Sequence, residues 1–288
     1  MQKYEVENHA PSFLPEGKKW KLVWNDEFDG TELDTTKWDY RLSMMGKTCK
    51  HWCKDAITFD GNSNVIFKLL KKDGIYCTTQ IQTGYNFLDG NPESYDTNLA
   101  ENRQDDNEEN YYTWPIGEIK EPKFMHKYGY YECRCKMRRI DGWWTAFWLQ
   151  SPIIGSTLDP EYSGVEVDIL EQFWGPLHVS HANHWNGYGS QHQGTGACPV
   201  DFEETEDGYH VFGLEWTEEY YRYYVDGKQT WEVKAPFPVS QREQFIILSA
   251  EAIGYRSSGW TEWEALAEAY ETGDSWVVDY VRVYDEVK

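Results

Sequence analysis

Three carboxylates stand close together in "SGVEVDILEQFW", Ser163 to Trp174: Glu166, Asp168 and Glu171. They interrupt a run of Val, Ile, Leu and Phe, the composition of a buried strand. A carboxylate seldom enters such a setting without a partner or a task. Side chains alternate along a strand, so Glu166 and Asp168 point one way while Val165, Val167 and Ile169 face the core. Glu171 has the wrong parity and would be driven inward. A β-bulge near Ile169–Leu170 removes the conflict, because one extra residue resets the phase. The three acids then share one accessible face. Two carboxyl groups held about 5–5.5 Å apart can carry out a double displacement at an acetal carbon. One attacks, and the other protonates the leaving oxygen and later activates water. An acid between them raises its neighbours' pKa values and can hydrogen-bond the attacking one.

The spacing alone is a weak signal in a chain with Asp+Glu 49 among 288 residues. A cation site or a solvated strand face would use the same residue types, so context must decide. Aromatics make up 17 % of the chain, with Trp 15 and Tyr 21. That composition favours strands and stacking surfaces. The net charge of −22 argues against nucleic acid and against acidic membranes, and leaves a neutral polymer as a comfortable partner. No apolar run approaches the roughly 20 residues of a membrane span. The start, "MQKYEVENHAPSFLPEG", lacks the basic and apolar segments of a secretory signal.

The elements that must position the acids are short alternating stretches between turn signals, the pattern of an all-β sandwich. "YGYYECRCKMRR", "GWWTAFWLQS", "GVEVDILEQF" and "SWVVDYVRVYDEV" read as strands. "YHVFGLEWTEEYYRYYVDGKQTWEV" contains a hairpin turning at Asp226–Gly227. Cys133 and Cys135 share one strand face, expected to be the core. With no repeat or linker, residues 20–288 are expected to form one domain behind an N-terminal extension, 1–19. Residues 86–114 read as a long acidic loop. "WTEWEALAEAY", 260–270, reads as a helix capped by Thr261 and Glu264, with Trp263, Leu266, Ala267 and Tyr270 on one face. "CKHWC" places Cys49, His51 and Cys53 close together, but the second ligand pair of a zinc site is missing.

"KLVWNDEFDGTELDTTKWDY" (Lys21–Tyr40), with the "GVEVDILE" strand, resembles glycoside hydrolase family 16. "GWWTAFWLQ" (Gly142–Gln150), "YHVFGLEWTEEYYRYYVDGK" (Tyr209–Lys228) and "SWVVDYVRVYD" (Ser275–Asp285) resemble further blocks of that family, in family order. The resemblance implies a concanavalin-like β-jelly-roll of two antiparallel sheets with a concave substrate groove. It implies Glu166 as nucleophile, Asp168 as assisting acid and Glu171 as general acid/base. By strand face and family position, Trp144 and Trp148 would line the groove and stack on sugar rings. His184 and Trp185 would sit beside Glu171, with His181 left open; Glu251 resembles an acid of agarase-like members. The chemistry would need no cofactor. A structural calcium on the convex side would take Glu27, the carbonyl of Gly61 and Asp279.

The resulting expectation is a retaining endo-glycoside hydrolase acting on a neutral β-linked polysaccharide, a β-1,3- or β-1,3-1,4-glucan first. An endo-β-galactanase, agarase-like or acting on galactose-containing host glycans, is the alternative, carried by Glu251. A transglycosylase would share the covalent intermediate. A non-catalytic carbohydrate-binding protein on the same scaffold would usually lack a catalytic Glu, and both are present. The expected partner is a poly- or oligosaccharide, with no nucleic acid or membrane, bound by a monomer. The substrate class points to a secreted or cell-surface protein, and the sequence leaves a cytoplasmic one open.

Overall fold

A computed structural model of the chain describes residues 1–44, 47, 48, 50–86, 120–188, 191–252 and 263–287. Two antiparallel sheets pack face to face, as the alternating pattern requires. The strands of these sheets are β1 Trp20–Asp26, β2 Asp39–Tyr40, β3 Ile57–Phe59, β4 Val65–Lys68, β5 Gln80–Gln82, β6 Gly129–Lys136, β7 Trp143–Gln150 and β8 Glu166–Gln172. They continue as β9 His178–Trp185, β10 Gln193–Gly194, β11 Cys198–Asp201, β12 His210–Trp216, β13 Tyr220–Val225, β14 Lys228–Lys234, β15 Phe245–Ala252 and β16 Ser275–Glu286. One sheet runs β10-β9-β8-β7-β15-β5-β2, with β11 also paired to β9; it carries the three acids and is called the cleft sheet. The back sheet runs β14-β13-β12-β6-β16-β4-β3, with β1 added on β16.

The inward faces alternate as read. Trp143, Phe147 and Leu149 of β7 meet Cys133 and Cys135 of β6 and Phe212 and Leu214 of β12 in one continuous apolar core. The β13–β14 hairpin turns at Asp226–Gly227, both at positive φ, which is why Gly is suited there. Residues 1–19 are packed onto the back sheet. Gln2–Tyr4 pairs with Ser12–Leu14, and Leu14 and Tyr4 lie against Tyr130, Tyr224 and Tyr284 on that sheet's outer face. The helix, α2 (Trp263–Thr272, after the one-turn α1, Pro160–Ser163), buries Leu266 and Ala269, whereas Tyr270 is exposed and touches Tyr76 by its edge. Tyr270 therefore leaves the face expected for it. Thr261, Cys49 and residues 87–114 of the expected acidic loop lie outside the described residues.

The back sheet corrects the calcium expectation. Both carboxylate oxygens of Glu27 are taken by Arg282, whose Nε and Nη2 donate at 2.9 and 2.7 Å, and Asn25 donates to Oε1 as well. Asp279 accepts from Arg134 Nη1. Gly61 stands in a turn organised by Asp60, whose side chain accepts from the backbone amides of Asn62 and Asn64. A calcium ion here would face two guanidinium groups, so this donor set does not fit it. Asp279 is itself a bulged residue. Against β6, Tyr280 lies opposite Arg134 and Val278 opposite Cys135, leaving Asp279 as the extra position.

Candidate active site

Both neighbours of β8 record the same irregularity. Against β7, Glu171 lies opposite Ala146, Leu170 opposite Phe147, and next Asp168 opposite Trp148, so Ile169 is extra. Against β9, Asp168 faces Ala182 and Glu171 faces Ser180: two residues advance on β9 where β8 uses three. Ile169 and Leu170 are consecutive yet both fully buried in the core. Glu171 consequently returns to the face of Glu166 and Asp168. The strand exit is held from behind by the buried Arg138. Its Nη2 donates to the carbonyls of Phe173 (2.6 Å) and Gln172 (3.3 Å).

The three acids open into a cleft of about 460 Å³, within the range of a small-ligand site. Its floor is made by facing positions on adjacent strands. Trp144 of β7 lies opposite Glu251 of β15, and Ala146 opposite Ser249. The Trp144 ring is stacked on Phe173, 4.6 Å between centroids. Trp148 donates its Nε1 hydrogen to Ser249 Oγ at 3.0 Å and carries the Arg41 guanidinium over its face. Glu251 accepts from Gln80 Nε2 at 2.7 Å, and Arg41 Nη1 donates to Gln80 Oε1 at 3.0 Å. A polar file therefore crosses three elements beside the aromatic floor.

Asp168 is the electrostatic centre. Its carboxyl is pushed well above the ordinary carboxylate range, first by burial and then by the charges of Glu171 and Glu166. A group so placed keeps its proton as pH rises and can offer it to a neighbouring carboxylate. Its Oδ2 is buried with no hydrogen-bond partner among the described residues, and His184 Nε2 stands 3.6 Å away. His184 Nδ1 is 3.0 Å from His192 Nε2, the two rings stacked. Glu166 Oε2 accepts from the Tyr188 hydroxyl and from Gln150 Nε2, the latter at 3.2 Å. Donor atoms of Glu166, Asp168 and His184 lie within 4.8 Å of one another, close enough for a metal ion to compete for them.

Of the expected substrate residues, Trp144, Trp148, His184 and Glu251 line the cleft. Trp185 does not. His184 and Trp185 are successive residues of β9 and must face opposite ways. Trp185 belongs to the core, with its Nε1 donating to Gln193 and its ring against Phe237. His181 is likewise interior. Arg41, Gln80, Gln150 and Tyr188 were not foreseen. Gln150 shares the parity of Trp144 and Trp148 and could have been read from it; the others come from elements remote in sequence.

Residues 112–262, just over half of the chain, match the family model described as glycosyl hydrolases family 16. The chain belongs to that family. Among curated relatives, the chain is similar to glucan endo-1,3-beta-glucosidase A1 of Niallia circulans. The two are 28 % identical over 287 residues, 92 % of this chain and 38 % of that protein. Beta-porphyranase D of Zobellia galactanivorans is 29 % identical over 235 residues, covering 73 % of this chain and 47 % of that one. The chain thus spans less than half the length of these two curated relatives. Among solved structures, the laminarinase from Rhodothermus marinus superposes with a TM-score of 0.65 at 22 % identity. That match covers 95 % of this chain and all of the other. The fold is a jelly-roll sandwich of two antiparallel sheets.

Proposed function

We propose that the chain is a retaining endo-glycoside hydrolase whose substrate is a β-1,3- or mixed β-1,3-1,4-glucan. The observation that carries this reading is the bulge at Ile169, which turns Glu166, Asp168 and Glu171 to one cleft face. Glu166 attacks the anomeric carbon as the bond to the departing oxygen breaks. Glu171 gives that oxygen its proton. In the second half, Glu171 takes a proton from water, whose oxygen attacks the same carbon and releases Glu166. Asp168, keeping its proton through burial, limits the charge gathered between the glutamates. Trp144 and Trp148 offer ring faces to sugars, and neither step draws on a cofactor.

The glucan choice is supported by the name of the Niallia circulans relative and by the laminarinase-like fold. A second reading, a β-galactan, is favoured by Glu251 in the cleft and by the porphyranase relative. A glucan polymer is met outside cells, so we assign the protein to the secreted or cell-surface class, acting as a monomer. The test is incubation with laminarin, mixed-linkage glucan, agarose and a keratan-type glycan, with product sizing and Glu166→Gln as control. Release of a ladder of oligosaccharides from a glucan is expected. Full activity in Glu166→Gln, or monosaccharide as sole product, rejects the reading.

A further inference from the structure

The bulge that aligns the acids needs a cause, because an extra residue disrupts the strand ladder and leaves backbone groups to be satisfied. On β9, the residue between Ala182 and Ser180, directly across the irregularity, is His181. Its side chain points into the sandwich and is fully buried. Nδ1 lies 2.7 Å from the carbonyl oxygen of Ile169, the extra residue itself. Nε2 lies 2.9 Å from Thr230 Oγ1 on β14 of the back sheet, and the ring rests on Tyr223 of β13. A carbonyl can only accept, so Nδ1 carries the hydrogen and the neutral ring's Nε2 is an acceptor, sharing the single hydrogen of the Thr230 hydroxyl with the Tyr223 carbonyl 3.2 Å from that oxygen. Burial holds the imidazole neutral, its pKa lowered to about 4, which is what this one-donor, one-acceptor arrangement requires.

We propose that His181 is the positioning residue that pins the bulge at Ile169 to the back sheet and so sets Glu171 against the bond that Glu166 attacks. The role rests on the reading of Glu166 and Glu171 as the working pair. His181 touches no substrate; it acts through the backbone of β8. When the pin is removed, the core residues Ile169 and Leu170 stay anchored by their own burial. Glu171, which follows them, loses its aim. The step that suffers is protonation of a poor leaving group, while Glu166 can still attack a substrate whose leaving group needs no proton.

The experiment compares His181→Phe, which keeps ring volume without a donor, with His181→Gln, which keeps an N–H. Each is assayed on the glucan and on a 2,4-dinitrophenyl oligoglucoside. His181→Phe should lose at least about 30-fold in kcat/KM on the glucan, with KM within about 3-fold of wild type. On the dinitrophenyl substrate its kcat/KM should stay within about 3-fold. His181→Gln should recover most of the loss. Thr230→Val, which frees Nε2, should show the same pattern at roughly 5-fold, and is the variant to use if His181→Phe does not fold. Tyr223→Phe, which removes the nearby Tyr223–Asn183 hydrogen bond, should lower Tm without separating the two substrates. Equal loss on both substrates, or none, in a folded His181→Phe overturns the proposal. Glu171→Gln is run beside it. If Glu171→Gln stays active, the glutamate pair falls and this role falls with it. If it is dead while His181→Phe is unaffected, only the role of His181 falls.

Discussion

Each sheet contains a one-residue bulge associated with a carboxylate, and the two are resolved in opposite ways. In the back sheet the extra residue is Asp279, and Arg134 closes on it. In the cleft sheet the extra residue is apolar Ile169, and its effect is to bring Glu171 round to face Asp168 and Glu166. Two further buried acids of the back sheet follow its pattern. Glu27 is clasped by Arg282; Glu215 meets Lys18 at 2.8 Å and the hydroxyls of Tyr220 and Tyr224. Asp168 instead has acids for neighbours. One sheet neutralises its charges, and the other keeps them in conflict, where a substrate can use them.

This contrast can be broken most severely at Glu171. Glu171→Gln should reduce kcat/KM by about 10³- to 10⁴-fold with little change in melting temperature, measured by glycan hydrolysis and calorimetry. Arg282→Ala should do the reverse. Leaving Glu27 buried without its guanidinium partner should cost about 3–5 kcal/mol in chemical denaturation, while kcat holds at temperatures where the variant is folded. If kcat fell in step with stability, the back sheet would be part of the site.

The next effect is a pH slope. Glu132, fully buried on β6, has its pKa raised to about 7 by burial, although Phe13 N and the Tyr280 hydroxyl donate to it. The folded state therefore holds a proton that the unfolded state releases. Stability should fall as pH climbs from about 4.5 to about 7, by up to about 3 kcal/mol, and then level. Glu132→Gln should flatten that slope in melts taken between pH 4.5 and 8. The smallest effect expected is at Asp168, whose pKa is raised in the same direction. Asp168→Asn should slow hydrolysis about 10-fold yet melt no lower than wild type at pH 8, since it removes an acid from a crowded site. A lower melting temperature would show that the carboxyl group there stabilises the fold.

Much of this was legible because strand parity makes definite demands. Three acids and four apolar residues from Val165 to Glu171 cannot all be satisfied by an unbroken pleat, so the bulge followed from local sequence. The same rule applied to His184–Trp185 excludes one of the two from the cleft, and placing both there ignored it. Arg41, Gln80 and Tyr188 were hidden for another reason: register across distant strands and a loop brings them to Glu251 and Glu166, and no local pattern records that. The calcium expectation failed because the resemblance carried positions of acids but not the arginines opposite them. Arg134 sits between two core cysteines on β6, and only the pairing with β16 reveals its partner.

The consecutive burial of Ile169 and Leu170 marks where this strand can change its length. Losing the Ile169 codon would restore plain alternation from Glu166 to Glu171 and leave the three acids on one side. Gaining a further codon there would instead sink a glutamate into oil, so the strand can shorten by one residue but cannot lengthen by one without a rewritten core.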